Sequence, residues 1–183
     1  MAQTWRVTRN SPKKPLPPLD EARLSELGLR YVGRYATTRA KLRAYLGRKL
    51  MERGWSGERP ADVDGLVHRF AELRYVDDAA FAAMKGGSLG RRGYGVRRVS
   101  ETLRAAGVED NDRAGAEMAA RDGRWEAAHA FARRKRIGPF AAEPADRDTR
   151  EKQLAAFLRA GHDFATARAW VSAAPGETPE PDA

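Results

Sequence analysis

The chain has 183 residues, with 34 Lys or Arg against 25 Asp or Glu and a formal net charge of +9. This excess makes nucleic acid the first binding partner to test, although a basic surface is also found on proteins that bind no anion. The absence of cysteine excludes disulfides and thiolate metal sites, and no apolar run approaches the roughly 20 residues that span a bilayer. We therefore expect a cytoplasmic protein.

Both ends of the chain are rich in proline. Residues 1–18 carry four basic and no acidic side chains, and four of the last seven residues in that stretch are proline. Proline at this density precludes a helix, so we predict a disordered basic arm. Residues 174–183 combine proline with small and acidic residues and predict a disordered tail. Ordered structure is expected over residues 19–173.

Within that span, apolar residues recur at steps of three and four, which is the pattern of one helix face. The sets are Leu24, Leu27, Tyr31, Val32 and Tyr35; then Leu42, Leu46 and Leu50; then Val63, Leu66, Val67, Phe70 and Leu73. Thr37 or Thr38 is suited to cap the second helix, and Gly54 is suited to end it. No segment shows the alternation of a strand, so the sequence predicts an all-α fold.

A repeat organises these helices. An apolar residue stands four positions before a glycine at Leu50–Gly54, Leu103–Gly107 and Phe157–Gly161, and the glycines lie 53 and 54 residues apart. This spacing predicts three tandem three-helix repeats at residues 19–74, 75–121 and 122–173. Units of this size bury little alone, so we expect them to stack into an elongated, curved molecule, and we predict a monomer.

The basic side chains are clustered along the sequence. The clusters are Arg39, Lys41 and Arg43; Arg91, Arg92, Arg97, Arg98 and Arg104; and Arg133, Arg134, Lys135 and Arg136. In the helix that contains Val99 and Leu103, the apolar residues lie on one face and the arginines lie on other faces. A solvated helix face explains any one cluster, whereas clusters in successive repeats favour a continuous basic track that contacts phosphates.

Catalytic and metal-binding patterns are not found. The three histidines are far apart, and His162, next to Gly161, is expected to pack in the core. Asp77 and Asp78 fit a magnesium pair less well than the first turn of a helix. The glycine-rich run of residues 86–95 lacks the lysine and hydroxyl ending of a phosphate loop, so we expect a flexible connection between helices. We predict no metal, no cofactor and no enzymatic activity.

Three segments resemble the RecX family. They are Arg92-Gly93-Tyr94-Gly95-Val96-Arg97-Arg98-Val99 with Leu103-Arg104-Ala105-Ala106-Gly107-Val108; Tyr75-Val76-Asp77-Asp78-Ala79-Ala80-Phe81-Ala82; and Thr38-Arg39-Ala40-Lys41-Leu42-Arg43. The similarity covers residues 22–172 and is strongest in the first two repeats. It implies a helical-repeat protein without catalytic residues that lodges in the groove of the RecA–DNA filament and lowers its ATPase and strand exchange.

The resemblance also implies contacts and partners. It points to Arg91, Arg92, Tyr94, Arg97, Arg98 and Arg104 as contacts to DNA or filament. The implied partners are RecA and single-stranded DNA, with double-stranded DNA as a second candidate. From the residues alone, we expect Tyr94 to pack against its helix rather than stack on a base.

Two segments depart from the family, and two other functions stay open. The glycine-rich stretch at residues 84–88 predicts a short or bent helix where the family continues one, and residues 141–148 form an Ala/Pro/Asp-rich loop in the third repeat. One rival function is a general DNA- or RNA-binding helical module. The other is a helical scaffold for a different acidic protein. The central motif disfavours both, because charge and periodicity alone do not require that run of residues.

Overall fold

The computed structural model describes residues 16–180, and this part of the chain is all-helical. Nine α-helices occur in it: α1 Glu21–Arg34, α2 Arg39–Arg53, α3 Val63–Glu72, α4 Asp78–Arg91, α5 Val96–Ala105, α6 Asp110–Asp122, α7 Arg124–Lys135, α8 Arg147–Arg159 and α9 Phe164–Ser172. A 3-10 turn at Gly138–Phe140 follows α7. The predicted all-α fold is confirmed. No helix in residues 16–180 has the length and apolar character that crossing a bilayer requires.

Short polar side chains begin most of these helices. The Thr38 hydroxyl accepts from the Lys41 N–H at 3.2 Å at the start of α2, and the Asp77 carboxylate accepts from the Ala80 N–H at 2.8 Å at the start of α4. Asp20, Asp62, Asp146 and Asp163 cap α1, α3, α8 and α9 in the same way. Each cap satisfies an N–H that the first turn of a helix leaves unpaired.

Buried apolar residues form three separate cores, one for each successive group of three helices. The first contains Leu19, Leu24, Leu42, Leu46, Val67, Phe70 and Val76; the second Phe81, Ala82, Leu89, Val99, Leu103, Ala106, Val108 and Ala116; the third Ala128, Phe131, Ala132, Ile137, Phe157, Ala160, Ala167, Trp170 and Val171. Burying these residues removes apolar surface from water, and each core therefore stabilises its own group of helices.

Backbone and hydroxyl hydrogen bonds join the second helices of neighbouring groups. Where α5 ends, the Ala106 carbonyl accepts from the Thr38 hydroxyl at 2.7 Å, at the start of α2. Where α8 ends, the Ala160 carbonyl accepts from the Gly95 N–H at 3.0 Å, at the start of α5. Each contact satisfies a carbonyl that the C-terminal end of a helix leaves without an intrahelical partner.

A glycine with positive φ follows each second helix. The φ angles are 76° at Gly54, 74° at Gly107 and 93° at Gly161. Gly54 directly follows α2, and its N–H donates to the Leu50 carbonyl, which confirms the predicted helix end. Side chains other than glycine rarely adopt this backbone conformation, so the recurring glycine has a structural cause.

Most of the glycine-rich run is helical, so the prediction of a flexible connection was wrong for residues 86–91, and only residues 92–95 connect α4 to α5. Helix α4 continues through Gly86 and Gly90 to Arg91, so the helix is not shortened. A Cβ added to the buried Gly86 would lie 3.4 Å from both the Ala116 Cβ and a Val99 methyl. The small residue lets α4 lie close to α5 and α6, and this packing outweighs the low helix propensity of glycine.

Two residues assigned to buried helix faces are exposed. Tyr35 and Leu73 lie one position beyond the last residues of α1 and α3, and they are 49% and 55% exposed. The helical period stops at those ends, so neither side chain continues the buried stripe.

The described parts of the two termini contact the helices. The Pro17 carbonyl accepts from the Arg53 Nε and Nη2 at 2.9 and 2.7 Å, and the Gly176 N–H donates to the Pro139 carbonyl at 3.0 Å. The predicted disorder of the arm and tail otherwise concerns residues 1–15 and 181–183, which lie outside the described residues.

Candidate nucleic-acid interface

The central basic motif lies at the joint between the second and third groups of helices. Tyr94 is half-buried and packs against both the second and the third core. The guanidinium carbon of Arg92 lies 5.5 Å from the centre of the Tyr94 ring, and that of Arg134 lies 5.7 Å from it. These distances allow cation–π attraction, so one tyrosine holds arginines from two groups in place.

A hydrogen bond also joins these two basic clusters. Arg134 Nη1 donates to the backbone carbonyl of Arg92. Arg91 and Tyr94 line one hollow together with Ala127 and Ala130 of α7. The fold thus brings Arg91, Arg92 and Tyr94 together with Arg134, which sequence reasoning placed in separate clusters.

The end of α7 extends this basic surface. Arg133, Lys135 and Arg136 are exposed, and none has an ion-pair partner within residues 16–180. They lie at the C-terminal end of the helix, where the dipole stabilises positive charge. These three cations follow or precede Arg134 in sequence and add unpaired positive charge at this end of α7.

Helix α5 presents three further arginines. Arg97 Nη2 donates to the Leu158 carbonyl at the end of α8, and Arg97 Nε lies 3.6 Å from Glu101 Oε1. Arg98 Nη1 lies 3.9 Å from the other oxygen of Glu101. Arg104 is exposed without an ion-pair partner in the described part of the chain. The helix therefore keeps an excess of positive charge, although Glu101 neutralises part of it.

The first-repeat cluster has a different environment, because Arg39 is held by carboxylates. Its Nε lies 3.3 Å from Asp78 Oδ2, and its Nη2 pairs with Asp112. The Asp78 side chain is 2% exposed and also accepts from the Arg39 backbone N–H at 2.9 Å. Partial burial acts to lower the pKa of Arg39, but the bond to Asp78 and the nearby carboxylates outweigh it and raise that pKa. Arg39 thus links the first two groups.

Lys41 and Arg43 also have partners inside the protein. The Lys41 Nζ lies 4.9 Å from the centre of the Phe81 ring, which belongs to the second core. Arg43 Nε pairs with Asp64 of α3. Both side chains remain exposed. The structure does not join this cluster directly to the junction around Tyr94.

His162 stabilises the turn that carries the central motif. It is buried, its ring lies against Phe131 and Phe157, and its Nε2 lies 3.1 Å from the Gly93 carbonyl. Burial lowers the pKa of His162, and the hydrogen bond to Gly93 only partly opposes this effect. The neutral ring therefore donates Nε2–H to Gly93. The packing of this histidine was predicted, but the hydrogen bond was not, because it joins residues 69 positions apart.

A second aromatic and basic surface was missed by the sequence analysis. Tyrosines and arginines of α1 and α2 line an open groove. Their spacing of three and four residues was taken for a helix face alone. The interleaving of arginine with that tyrosine stripe was the available signal. Within residues 16–180, no group of three or more His, Asp or Glu side chains is arranged to hold a metal ion.

These features define an all-α protein with basic side chains gathered at the joints between three-helix groups. No protein-family model matches the sequence. A regulatory protein RecX from Myxococcus xanthus (strain DK1622) is 33% identical over 172 residues, which cover 90% of this chain and 91% of that protein. The chain belongs to the RecX family.

Two further comparisons agree with this family. A regulatory protein RecX from Cronobacter sakazakii (strain ATCC BAA-894) is 36% identical over 52 residues, which cover 28% of this chain and 32% of that protein. The crystal structure of RecX from Lactobacillus salivarius matches with a TM-score of 0.61 and 16% identity, over 80% of this chain and 90% of that chain. At that identity the match shows the shared fold.

Proposed function

We propose that this protein is a negative regulator of the RecA recombinase. It binds in the groove of the RecA–single-stranded DNA filament and inhibits ATPase activity, filament extension and strand exchange. Membership of the RecX family gives the class of partner. The observation that carries the proposal is the junction at which Arg92, Tyr94 and Arg134 meet, beside the exposed bases that end α7.

The junction suits a phosphate backbone held at a fixed geometry. Each guanidinium has five N–H donors, so the bond from Arg134 to the Arg92 carbonyl leaves most of its donors free. Tyr94 and the backbone bonds of the joint hold these arginines in place before binding, which lowers the conformational entropy lost on association. Arg104 and the end of α7 add positive charge on the two adjoining helices.

The proposed regulation requires that this protein binds one state of the RecA filament more tightly than another. A ligand shifts a conformational equilibrium only by its difference in affinity for the two states. A series of three-helix groups with fixed joints presents its contacts at set separations. We infer that those separations fit the groove of one filament state better than the other, and that binding therefore disfavours filament growth.

Charge reversal on α5 tests whether the arginines next to the junction contribute to inhibition. We expect the triple variant Arg97→Glu, Arg98→Glu, Arg104→Glu to lose most inhibition of RecA-catalysed strand exchange while its melting temperature falls by only a few degrees. A matched control reverses Arg147, Arg150 and Arg168, which are exposed on α8 and α9 and give the same change in net charge. Equal inhibition by the triple variant and the wild-type protein would mean that the α5 arginines do not contact the filament.

The rival is a general nucleic-acid-binding module without a recombinase partner. It requires tight binding to DNA alone and equal effects on unrelated filament-forming proteins. Either function gives salt-dependent DNA binding. Neutralising about five phosphates gives a slope near −4 in a plot of log affinity against log salt. Selective inhibition of RecA over another filament-forming protein separates the two.

A further inference from the structure

A groove on the first group of helices has the composition of a nucleic-acid site. It is open, has a volume of about 470 Å³ and lies between α1 and α2. Three tyrosines and three arginines line it: Arg30, Tyr31, Arg34, Tyr35, Tyr45 and Arg48. We call it the tyrosine groove. Its residues are all different from those of the junction around Tyr94.

The three tyrosine rings differ in how much surface they offer. Tyr31 and Tyr45 stack on each other, with ring centres 4.2 Å apart and planes 12° apart, and both pack against the first core. Tyr35 is tilted by 51° to Tyr31 at 5.4 Å and is 49% exposed. The core and mutual stacking hold the first two rings in place, and Tyr35 is the most exposed tyrosine of the groove.

The arginines surround these rings with positive charge. The guanidinium of Arg34 lies 5.5 Å from the centre of the Tyr35 ring and has no ion-pair partner in residues 16–180. Arg30 pairs with Glu26 at 2.6 Å, and Arg48 pairs with Glu52 at 3.5 Å. Both are exposed pairs one helical turn apart. Such pairs contribute little, so these arginines can exchange a carboxylate for a phosphate at small cost.

We propose that the tyrosine groove binds a short segment of single-stranded nucleic acid, with a base stacked on Tyr35 and phosphates on the arginines. Stacking on aromatic rings within a basic groove is the general mode of sequence-tolerant single-strand binding. An anionic ligand without bases would use the arginines but would have no use for the exposed ring. The proposal shares the nucleic-acid partner of the proposed function but needs no recombinase.

Side chains on helix α2 indicate the path of a strand bound in the tyrosine groove. Lys41, Tyr45 and Arg48 follow one another at steps of four and three, which places them on one helix face. Lys41 contacts the Phe81 ring of the second group. A strand that leaves the groove along this face therefore runs from the first group toward the second.

Binding to a labelled oligothymidylate of about 12 nucleotides tests the site, a length within the roughly 4–16 nucleotides that single-strand-binding OB folds cover. In fluorescence anisotropy without recombinase, we expect Tyr35→Ala to weaken binding about fivefold or more. Tyr35→Phe keeps the ring and should bind like the wild-type protein. The control Tyr75→Ala removes a tyrosine that is 51% exposed outside the groove and should also bind normally.

An abasic oligonucleotide of the same length separates stacking from charge. With no base to stack, Tyr35→Ala should bind it as the wild-type protein does. Arg34→Glu should weaken binding to both oligonucleotides, whereas the control Arg150→Glu, on α8, should weaken neither. Loss of affinity in Arg34→Glu without any loss in Tyr35→Ala would overturn the proposal and indicate a site for anions without bases, such as acidic peptides.

Photo-crosslinking keeps the test valid if Tyr35→Ala does not fold. An oligonucleotide carrying 5-iodouracil should crosslink the wild-type protein at Tyr35, and crosslinks confined to the junction around Tyr94 would overturn the proposal. The experiments distinguish failure of the tyrosine-groove proposal from failure of the proposed RecA regulation. Base-dependent binding through Tyr35 together with unchanged RecA activity supports this site and contradicts the proposed function, whereas inhibition of RecA with no role for Tyr35 does the reverse.

Discussion

Replacing Gly161 by alanine tests how the second and third groups are joined. Gly161 has a φ of 93°, and an added Cβ would overlap the backbone nitrogen of Arg98 at the start of α5. Gly54 follows α2 at the corresponding position with a φ of 76°, but an added Cβ there meets nothing within 4 Å. Both substitutions place alanine at a positive φ, and only the one at Gly161 adds a clash.

The hydrogen bonds of the joint give the expected difference in stability between the two variants. Backbone strain at either glycine costs about 1–3 kcal/mol. At Gly161 we expect the clash to separate the end of α8 from the start of α5. This breaks the bonds from the Gly95 N–H to Ala160 and from the Arg97 N–H to Gly161, which are 3.0 and 3.1 Å long. At about 1 kcal/mol for each bond, Gly161→Ala should cost about 2 kcal/mol more than Gly54→Ala.

Chemical denaturation of both variants, followed by circular dichroism, measures this difference. We expect Gly161→Ala to lower the free energy of unfolding by the larger amount and also to weaken DNA binding, because the joint positions Arg92 and Arg134. If the two variants lose the same stability, the groups are not held together by the close contact of Gly161 with Arg98, and the account of the joint is wrong.

Three further predictions concern single side chains. Arg39→Ala should lower the free energy of unfolding by about 1–3 kcal/mol, because it leaves buried Asp78 without its side-chain hydrogen-bond partner; a loss under about 1 kcal/mol, as expected for the exposed pair removed in Arg43→Ala, would contradict this. His162 has a lowered pKa when folded, so unfolding takes up a proton; thermal melts should show stability falling as pH drops below about 6.5, by at most about 1.4 kcal/mol per pH unit, and His162→Gln should remove this slope. Tyr94→Ala should lower the melting temperature, since the ring packs between two cores; normal melting with weak DNA binding would assign Tyr94 to base stacking instead.

The all-helical fold was predictable because its signals are local. The period of Leu42 and Leu46 fixes a buried helix face, and Thr38 and Gly54 mark the ends of that helix. The course of α4 through Gly86 was not predictable in this way. Its helical state depends on close packing against α5 and α6, which come later in the chain. The sequence of α4 alone therefore could not predict it.

The candidate site was predictable only as separate basic clusters. The arginines around Tyr94 could be singled out from the sequence, but their meeting with Arg134 depends on a joint between residues 42 positions apart. Arg39 was predicted as a contact in the same cluster as Lys41 and Arg43, and nothing in the local sequence indicates that it links two groups instead. Its partners Asp78 and Asp112 lie 39 and 73 residues away.

The most direct test of the account is the single-stranded-DNA-dependent ATPase of the cognate RecA, with this protein titrated in. A regulator that acts on the filament should suppress the ATPase well below one molecule per recombinase subunit, because each bound molecule affects many subunits. Unchanged ATPase at equimolar protein, together with clean DNA binding, would contradict the account and identify a general nucleic-acid-binding module.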